Sequence, residues 1–246
     1  MHRSMSRFDL KPRDVIGSGG LALFFVVVWV ISLPRLCRFW KYVLDKGITL
    51  VPIHAGLGLS EHHVTRYIRF FIPYPRMQPI APDAQTWGWT AIAVAALFAT
   101  SFLLPETQMP LRYLLRIVCF IQGTGLLYFL WEPARFPHTP DSYLEGLITY
   151  GIAMISFVPI LFGFTYYIMN FSLLQKVFLT VVAMTHLTLF LPLLILLQAM
   201  VLQKSVLFMP LLYIVFGLPV EVLMIIAFYS WGMSWPSPQP TGESHP

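Results

Sequence analysis

The sequence contains few charged residues. Lys, Arg, Asp and Glu make up 11% of its 246 residues, and hydrophobic residues make up 57%. A soluble globular domain carries about 25% charged residues. The deficit excludes an ordinary soluble domain and predicts a chain that lies largely in lipid. The length suits one helical bundle without a separate soluble domain.

Cysteine is scarce, and nucleotide-binding motifs are missing. Cys37 follows the first apolar run and Cys119 lies inside a later one, so we expect two packing residues too distant for a disulfide. Residues 17–20 are rich in glycine, but they open an apolar run and no Lys-Ser/Thr pair follows, as a phosphate-binding loop requires. An ATP-driven motor would therefore be a separate chain. The sequence predicts no catalytic residues.

Metal-binding patterns are missing as well. His54, Glu61, His62 and His63 have ligand chemistry, but their spacing matches no zinc motif, and adjacent side chains diverge. We interpret this region as a surface loop. Haem between helices needs histidines within the spans, and only His186 lies in one. We therefore predict no metal and no cofactor.

Six apolar segments are long enough to cross a bilayer as helices, which takes about 20 residues. Lipid offers the backbone no hydrogen-bond partner, so such segments become helices. The predicted spans are 15–33, 86–104, 111–131, 143–168, 177–202 and 206–231. The fold class is therefore an all-α integral membrane protein, a bundle of about six transmembrane helices with one or two interfacial amphipathic helices after the first span.

The pattern divides the chain into five parts. They are a basic N-terminal segment (1–14), a first transmembrane helix (15–33), a basic, aromatic interfacial loop (34–85), a five-helix transmembrane bundle (86–231) and a Pro-rich disordered tail (232–246). Pro159, Pro192 and Pro219 lie inside the last three spans and should kink them.

The interfacial loop combines cations with aromatic residues in two stretches, 34–43 and 64–72. This mixture is typical of a helix in the plane of the head groups. The loop is either a positively charged connection or a surface for lipid head groups or a partner. Its candidate contact residues are Arg35, Arg38, Lys41, Arg66 and Arg69. Cations at the ends of apolar runs meet anionic head groups, which explains the net charge of +5 without nucleic acid.

Small residues recur every four positions in the second span, at Ala91, Ala95 and Ala99. This spacing places them on one helix face, where small side chains allow another helix to approach closely. We therefore expect other membrane subunits as partners, in addition to the lipid bilayer.

Four polar residues lie inside predicted spans, where ionisable groups are costly and are functional candidates. They are Arg116 and Gln122 in the third span, His186 in the fifth and Glu221 in the sixth. Counted at about 1.5 Å per residue, Gln122, His186 and Glu221 reach similar depths. One interpretation is a proton or substrate site, with Glu221 titrating, His186 relaying the proton and Arg116 holding an anion. The other is a structural polar clasp between helices.

These features leave three functional hypotheses. The leading one is a non-catalytic polytopic membrane subunit of a larger envelope or transport assembly. The first alternative is a small secondary transporter with a proton-linked Glu/His site, and the second is a membrane enzyme acting on lipid-linked substrates. We expect a plasma or inner membrane with both termini in the cytoplasm, although Lys and Arg are nearly balanced between the two sides.

Overall fold

The computed structural model describes residues 12–51, 53–65, 68–132, 136–166 and 171–235. Six helical segments among them are long and apolar enough to cross a membrane. The predicted membrane protein with an all-α bundle is confirmed at this level. The elements are α1 (Pro12–Leu50), β1 (Gly56–Thr65), β2 (Ile68–Arg76), α2 (Ala84–Leu103), α3 (Met109–Trp131), α4 (Pro140–Tyr166), α5 (Leu173–Leu202), α6 (Met209–Phe216) and α7 (Leu218–Met233), with short 3₁₀ turns before α3 and α6.

Side-chain caps fix where two of the spanning helices begin. The Asp83 carboxylate accepts a hydrogen bond of 2.8 Å from the Thr86 amide at the start of α2. Ser172 and Gln175 form a reciprocal capping box at the start of α5. Each cap satisfies amide groups that the first helical turn leaves without an intrahelical partner.

Helix α1 is much longer than the predicted first span and runs through Pro34 to Leu50. Its inner face continues past the proline, because Leu33, Cys37, Trp40 and Leu44 are all buried. This packing explains the continuation. The stretch 34–43 is therefore a continuation of α1 and not a separate interfacial helix.

The second predicted interfacial helix, 64–72, is wrong, because its described residues belong to two paired strands, β1 and β2, which together are called the hairpin. Strands β1 and β2 pair antiparallel, with Gly56 opposite Arg76. In the first half of β2 the side chains alternate, since Phe70 and Ile72 are buried and Phe71 is exposed, the period of two of a half-buried strand. Residues 72–75 are all buried. The surface loop predicted around Glu61, His62 and His63 is likewise part of a strand, β1.

The core lies among α1, α4, α5 and α7, and the hairpin packs against α1 and α4. Helices α1 and α4 run antiparallel: Gly163 lies beside Ala22, and the Trp29 indole donates a hydrogen bond of 2.8 Å to the Ser156 hydroxyl. Helices α2 and α3 pair with each other, and α3 packs on α6.

The prolines act differently from one helix to the next. Pro34, Pro159 and Pro192 lie inside continuous helices. At Pro219 the chain instead breaks into α6 and α7, with Gly217 between them. The predicted sixth span is thus two consecutive helices, since proline removes a donor from the ladder.

Candidate functional site

Glu221 lies in the first turn of α7, directly after the break that follows α6. The residue is 4% exposed. A Cβ atom built on Gly151 of α4 would lie 3.2 Å from the Glu221 Oε1 atom and 2.6 Å from Leu191 of α5. The carboxyl group therefore occupies space that Gly151 leaves open between α4, α5 and α7. Within the described residues it has no hydrogen bond and no ion pair.

His186 lies between aromatic rings on α5 and α7. Its ring stacks on Phe190 with centroids 5.7 Å apart, and it meets Phe228 edge-on at 5.0 Å. The buried Nε2 atom has no hydrogen-bond partner among the described residues. Glu221 lies beside Leu191, five residues or about 7 Å further along α5, and no described contact joins the histidine to the carboxylate.

Gln122 joins α3 to the turn before α6 by a hydrogen bond. Its Nε2 atom donates a hydrogen bond of 3.2 Å to the Leu207 carbonyl, while the buried Oε1 atom has no partner within the described parts of the chain. Gly125, one turn later, lies close to the same carbonyl. Gln122 therefore connects helices, as the polar-clasp interpretation requires of this one residue.

Arg116 faces α2 and not the α5–α7 seam. Its Nε atom donates to the Ser101 hydroxyl at 3.3 Å, and its guanidinium lies 4.5 Å above the centre of the Phe102 ring. The neighbouring Arg112 donates to the carbonyls of Ser101, Phe102 and Leu104. The two arginines thus bind the C-terminal end of α2, where carbonyl groups lack intrahelical donors.

The four polar residues predicted to form one layer occupy separate surroundings. Arg116 lies at the end of α2, Gln122 at the turn before α6, and His186 and Glu221 at different heights along the α5–α7 contact. No hydrogen bond or ion pair joins any two of them in the described parts of the chain. Similar depth along separate helices did not bring these side chains together.

Gln198 is a polar residue that the sequence analysis missed. It is fully buried in α5, accepts a hydrogen bond from the Tyr143 hydroxyl and donates one of 2.8 Å to the Phe216 carbonyl. The signal was available, because Gln198 lies inside an apolar span just as Gln122 does. It joins α4, α5 and the end of α6.

The basic surface predicted in the interfacial region is only partly assembled. Arg38 and Lys41 of α1 and Arg69 of β2 line one groove of about 310 Å³ between the helix and the hairpin. Arg35 is exposed on α1 but does not line this groove. Arg66 lies outside the described residues.

The alanine face of α2 is mostly open. Trp87 and Ala91 pack against the core, and the Trp87 indole donates a hydrogen bond of 3.0 Å to the Leu126 carbonyl of α3. Ala95 and Ala99 are exposed. Helix α2 thus contacts α3 through one face and leaves the rest of this small-residue stripe uncovered.

Glu61, His62 and His63, which the sequence analysis assigned to a surface loop, lie on β1 of the hairpin. The His62 ring lies 3.7 Å from Glu145 of α4, whereas His63 lies 3.6 Å from Glu61. Their side chains diverge, as neighbours on a strand must. Throughout the described ranges, no group of three or more His, Cys, Asp or Glu residues is placed to hold a metal ion.

The fold and composition define a polytopic α-helical membrane protein. Comparison of the chain with protein-family models, with curated proteins and with solved structures found no match. Its function must therefore be inferred from its own residues and contacts.

Proposed function

We propose that the chain is a non-catalytic subunit of a larger membrane assembly and that α2 contacts a helix of another membrane protein. The observation that carries this proposal is the exposure of Ala95 and Ala99 on a helix whose Trp87 and Ala91 already pack inward. Small side chains offer lipid little apolar surface but allow helix backbones to pack closely. An exposed stripe of this kind suits a partner helix better than lipid.

Helix α2 also exposes large apolar side chains. Ile92 is 61% exposed and Phe102 is 55% exposed, and both lie on helix faces that suit acyl chains. Ala95 and Ala99 lie one helical turn apart. A partner helix on them could approach more closely than one on the Ile92 side, since no long side chain separates the two backbones.

The test is purification of the full chain in nanodiscs, with the mass and identity of every accompanying chain determined. We expect a stable complex with different membrane chains, and a monomer or homodimer alone would overturn the proposal. The double variant Ala95→Leu/Ala99→Leu should lose these chains. The matched control is Ala93→Leu, which makes the same change at an exposed position on a different face of α2.

The proposal includes a location. Six crossings place both termini on one side, which we assign to the cytoplasm of a plasma or inner membrane. Reporter fusions at each terminus and in the loop between α2 and α3 test this assignment. A reporter active only in the cytoplasm should work at both termini and between α2 and α3, and a further fusion in the loop after α3 should be inactive.

A second candidate, a proton-linked secondary transporter, is favoured by one observation. Glu221 is buried without a hydrogen bond or ion pair in the described residues, and it follows the break between α6 and α7. Interrupted helices and ionisable groups at membrane depth mark ion and substrate paths in transporters. Glu221→Gln should then abolish pH-dependent uptake but leave assembly intact, whereas a subunit without transport activity would keep its function.

A further inference from the structure

The groove between α1 and the hairpin is lined by both cationic and apolar side chains. On α1 it is lined by Pro34, Arg38 and Lys41, which follow one another at helical spacings of four and three. Such spacing places them on one face. Strand β2 supplies Arg69 and Phe71 on the other side. The groove has a volume of about 310 Å³.

Among the described residues, no acidic side chain pairs with the cations of this groove. Arg38, Lys41 and Arg69 are exposed, and no acidic residue lines the groove. The three ion pairs found in the described residues lie elsewhere, at the hairpin and the start of α4. The Nε atom of Arg38 makes a single long hydrogen bond, of 3.4 Å, to the Pro34 carbonyl. The groove therefore presents three positive charges available to a ligand.

The apolar part of the groove limits which anion fits. Leu59 is 48% exposed and Phe71 is 52% exposed beside the cations. A small soluble anion would use the charges and leave these side chains in contact with water. A ligand with a phosphate next to hydrocarbon would cover both kinds of wall, because arginine binds phosphate oxygens in a forked geometry and apolar side chains bind acyl chains.

The position along the chain identifies the source of this ligand. Residue 34 directly follows the apolar run 15–33, so the groove begins where the most hydrophobic part of α1 ends. Arginine and lysine side chains at such a boundary extend their charged ends to the phosphates of lipid head groups. Three unpaired cations favour a head group with a net negative charge over a zwitterionic one, in which a positive group accompanies the phosphate.

We infer that this groove binds an anionic phospholipid, with its phosphate held by Arg38, Lys41 and Arg69 and one acyl chain lying against Leu59 and Phe71. The lipid would bridge α1 and β2, which no side-chain ion pair joins in the described residues. This site does not depend on whether the chain is a subunit or a transporter.

Native mass spectrometry of the purified full chain, titrated with phosphatidylglycerol or phosphatidylcholine, tests the inference. We expect preferential retention of phosphatidylglycerol and a loss of about tenfold or more in its affinity for the double variant Arg38→Gln/Arg69→Gln. The matched control is Arg35→Gln/Lys46→Gln, which removes the same charge from α1 outside the groove. Equal losses in both double variants would overturn the inference, because they would indicate unspecific attraction to a basic surface.

A second pair of measurements separates a lipid from a soluble anion. Phe71→Ala retains all three cations and should weaken phosphatidylglycerol binding while leaving binding of glycerol phosphate unchanged. If millimolar inorganic phosphate displaces the lipid fully, or if Phe71→Ala has no effect on lipid binding, the groove is a site for a free anion and the inference is wrong. All substituted side chains are exposed, so the variants should retain the elution volume and helical content of the original chain.

Discussion

The side-chain amide of Gln198 donates a hydrogen bond of 2.8 Å to the main-chain carbonyl of Phe216. Phe216 is the last residue of α6, where Gly217 and Pro219 interrupt the helical ladder. The other end of the same amide accepts a hydrogen bond from the Tyr143 hydroxyl. One glutamine thus supports the helix break and joins it to α4 and α5. In lipid this matters because a carbonyl without a partner costs several kcal/mol.

Replacing this glutamine should destabilise the bundle. Gln198→Leu leaves both the Phe216 carbonyl and the Tyr143 hydroxyl without their partner, so we expect the free energy of unfolding to fall by about 1–3 kcal/mol. Thermal unfolding in detergent measures the change. Gln108→Leu, at an exposed position before α3, is the matched control and should have little effect. An unchanged melting temperature for Gln198→Leu would show that the break is supported in another way.

The close contact between α1 and α4 at Gly163 gives a second prediction. A Cβ atom on Gly163 would lie 2.8 Å from the Cβ atom of Ala22. Both atoms are fixed to the backbone, so Gly163→Ala forces the helices apart and should cost about 1–3 kcal/mol. A compensating Ala22→Gly should restore much of the loss, as measured by unfolding of the double variant.

The control for this substitution lies on the same helix. A Cβ atom on Gly146 would meet nothing within 4 Å, so Gly146→Ala should be neutral or stabilise the protein by about 0.5–1 kcal/mol. If both glycine substitutions destabilise equally, the effect is not due to the α1–α4 contact. A Gly163→Ala variant as stable as the original chain would mean that the helices pack less closely than described.

The spanning helices could be predicted from the sequence because lipid leaves apolar runs only one solution. The hairpin could not. Aromatic residues occupy both faces of β2, which obscures the alternation of Phe70, Phe71 and Ile72, and Pro73 and Pro75 argue against a strand. A two-stranded sheet tolerates those prolines, since β2 pairs along one edge only.

The polar layer shows a different limit. Residue counting gives the depth of Arg116 or Glu221 along its own helix, but not the neighbouring helix toward which the side chain points. Arg116 turns toward Ser101 on α2, whereas Glu221 turns toward Gly151 on α4. The rotation of each helix about its axis depends on packing over the whole bundle. It therefore cannot be predicted from the hydropathy of a single span. Gln198 could have been found, since it follows the same rule that identified Gln122.

The cap of α2 gives a pH dependence with a definite sign. Hydrogen bonds from Thr86 lower the pKa of the Asp83 carboxyl below its ordinary value of 3.8. Its contribution to stability is therefore fully present above about pH 4 and is lost as the pH falls through the lower, folded-state pKa. Asp83→Asn retains a capping acceptor but no longer titrates, so it should remove this part of the loss of stability at acidic pH.

Melting temperatures measured between neutral and acidic pH check the prediction. The original chain and Asp83→Asn should have similar melting temperatures at neutral pH, and the original should decline more steeply as the solution is acidified. Glu106→Gln, at an exposed position in the turn after α2, is the control and should leave the decline unchanged. Parallel curves for the original chain and Asp83→Asn would contradict the prediction.

The attachment of the hairpin to α4 allows two contributions of one carboxylate to be separated. Asp141 accepts a hydrogen bond of 2.7 Å from the Met77 amide and lies 3.8 Å from the Arg76 guanidinium. The Arg76 side chain is 70% exposed, so its ion pair should contribute only about 0–1 kcal/mol. The hydrogen bond to the partly buried Met77 amide should matter more, because a buried donor without a partner costs about 1–3 kcal/mol.

Hydrogen exchange of the Met77 amide and of the amides at the C-terminal end of β2 distinguishes these contributions. Asp141→Ala removes both and should accelerate exchange strongly, whereas Asp141→Asn retains an acceptor for the Met77 amide and should accelerate it less. Arg76→Gln removes only the ion pair and should have the smallest effect. Asp45→Ala, an acidic position exposed on α1, is the control. If Arg76→Gln and Asp141→Ala accelerate exchange equally, the ion pair is the main attachment and the prediction is wrong. Exchange should then also accelerate as the salt concentration rises, because exposed ion pairs are screened by salt.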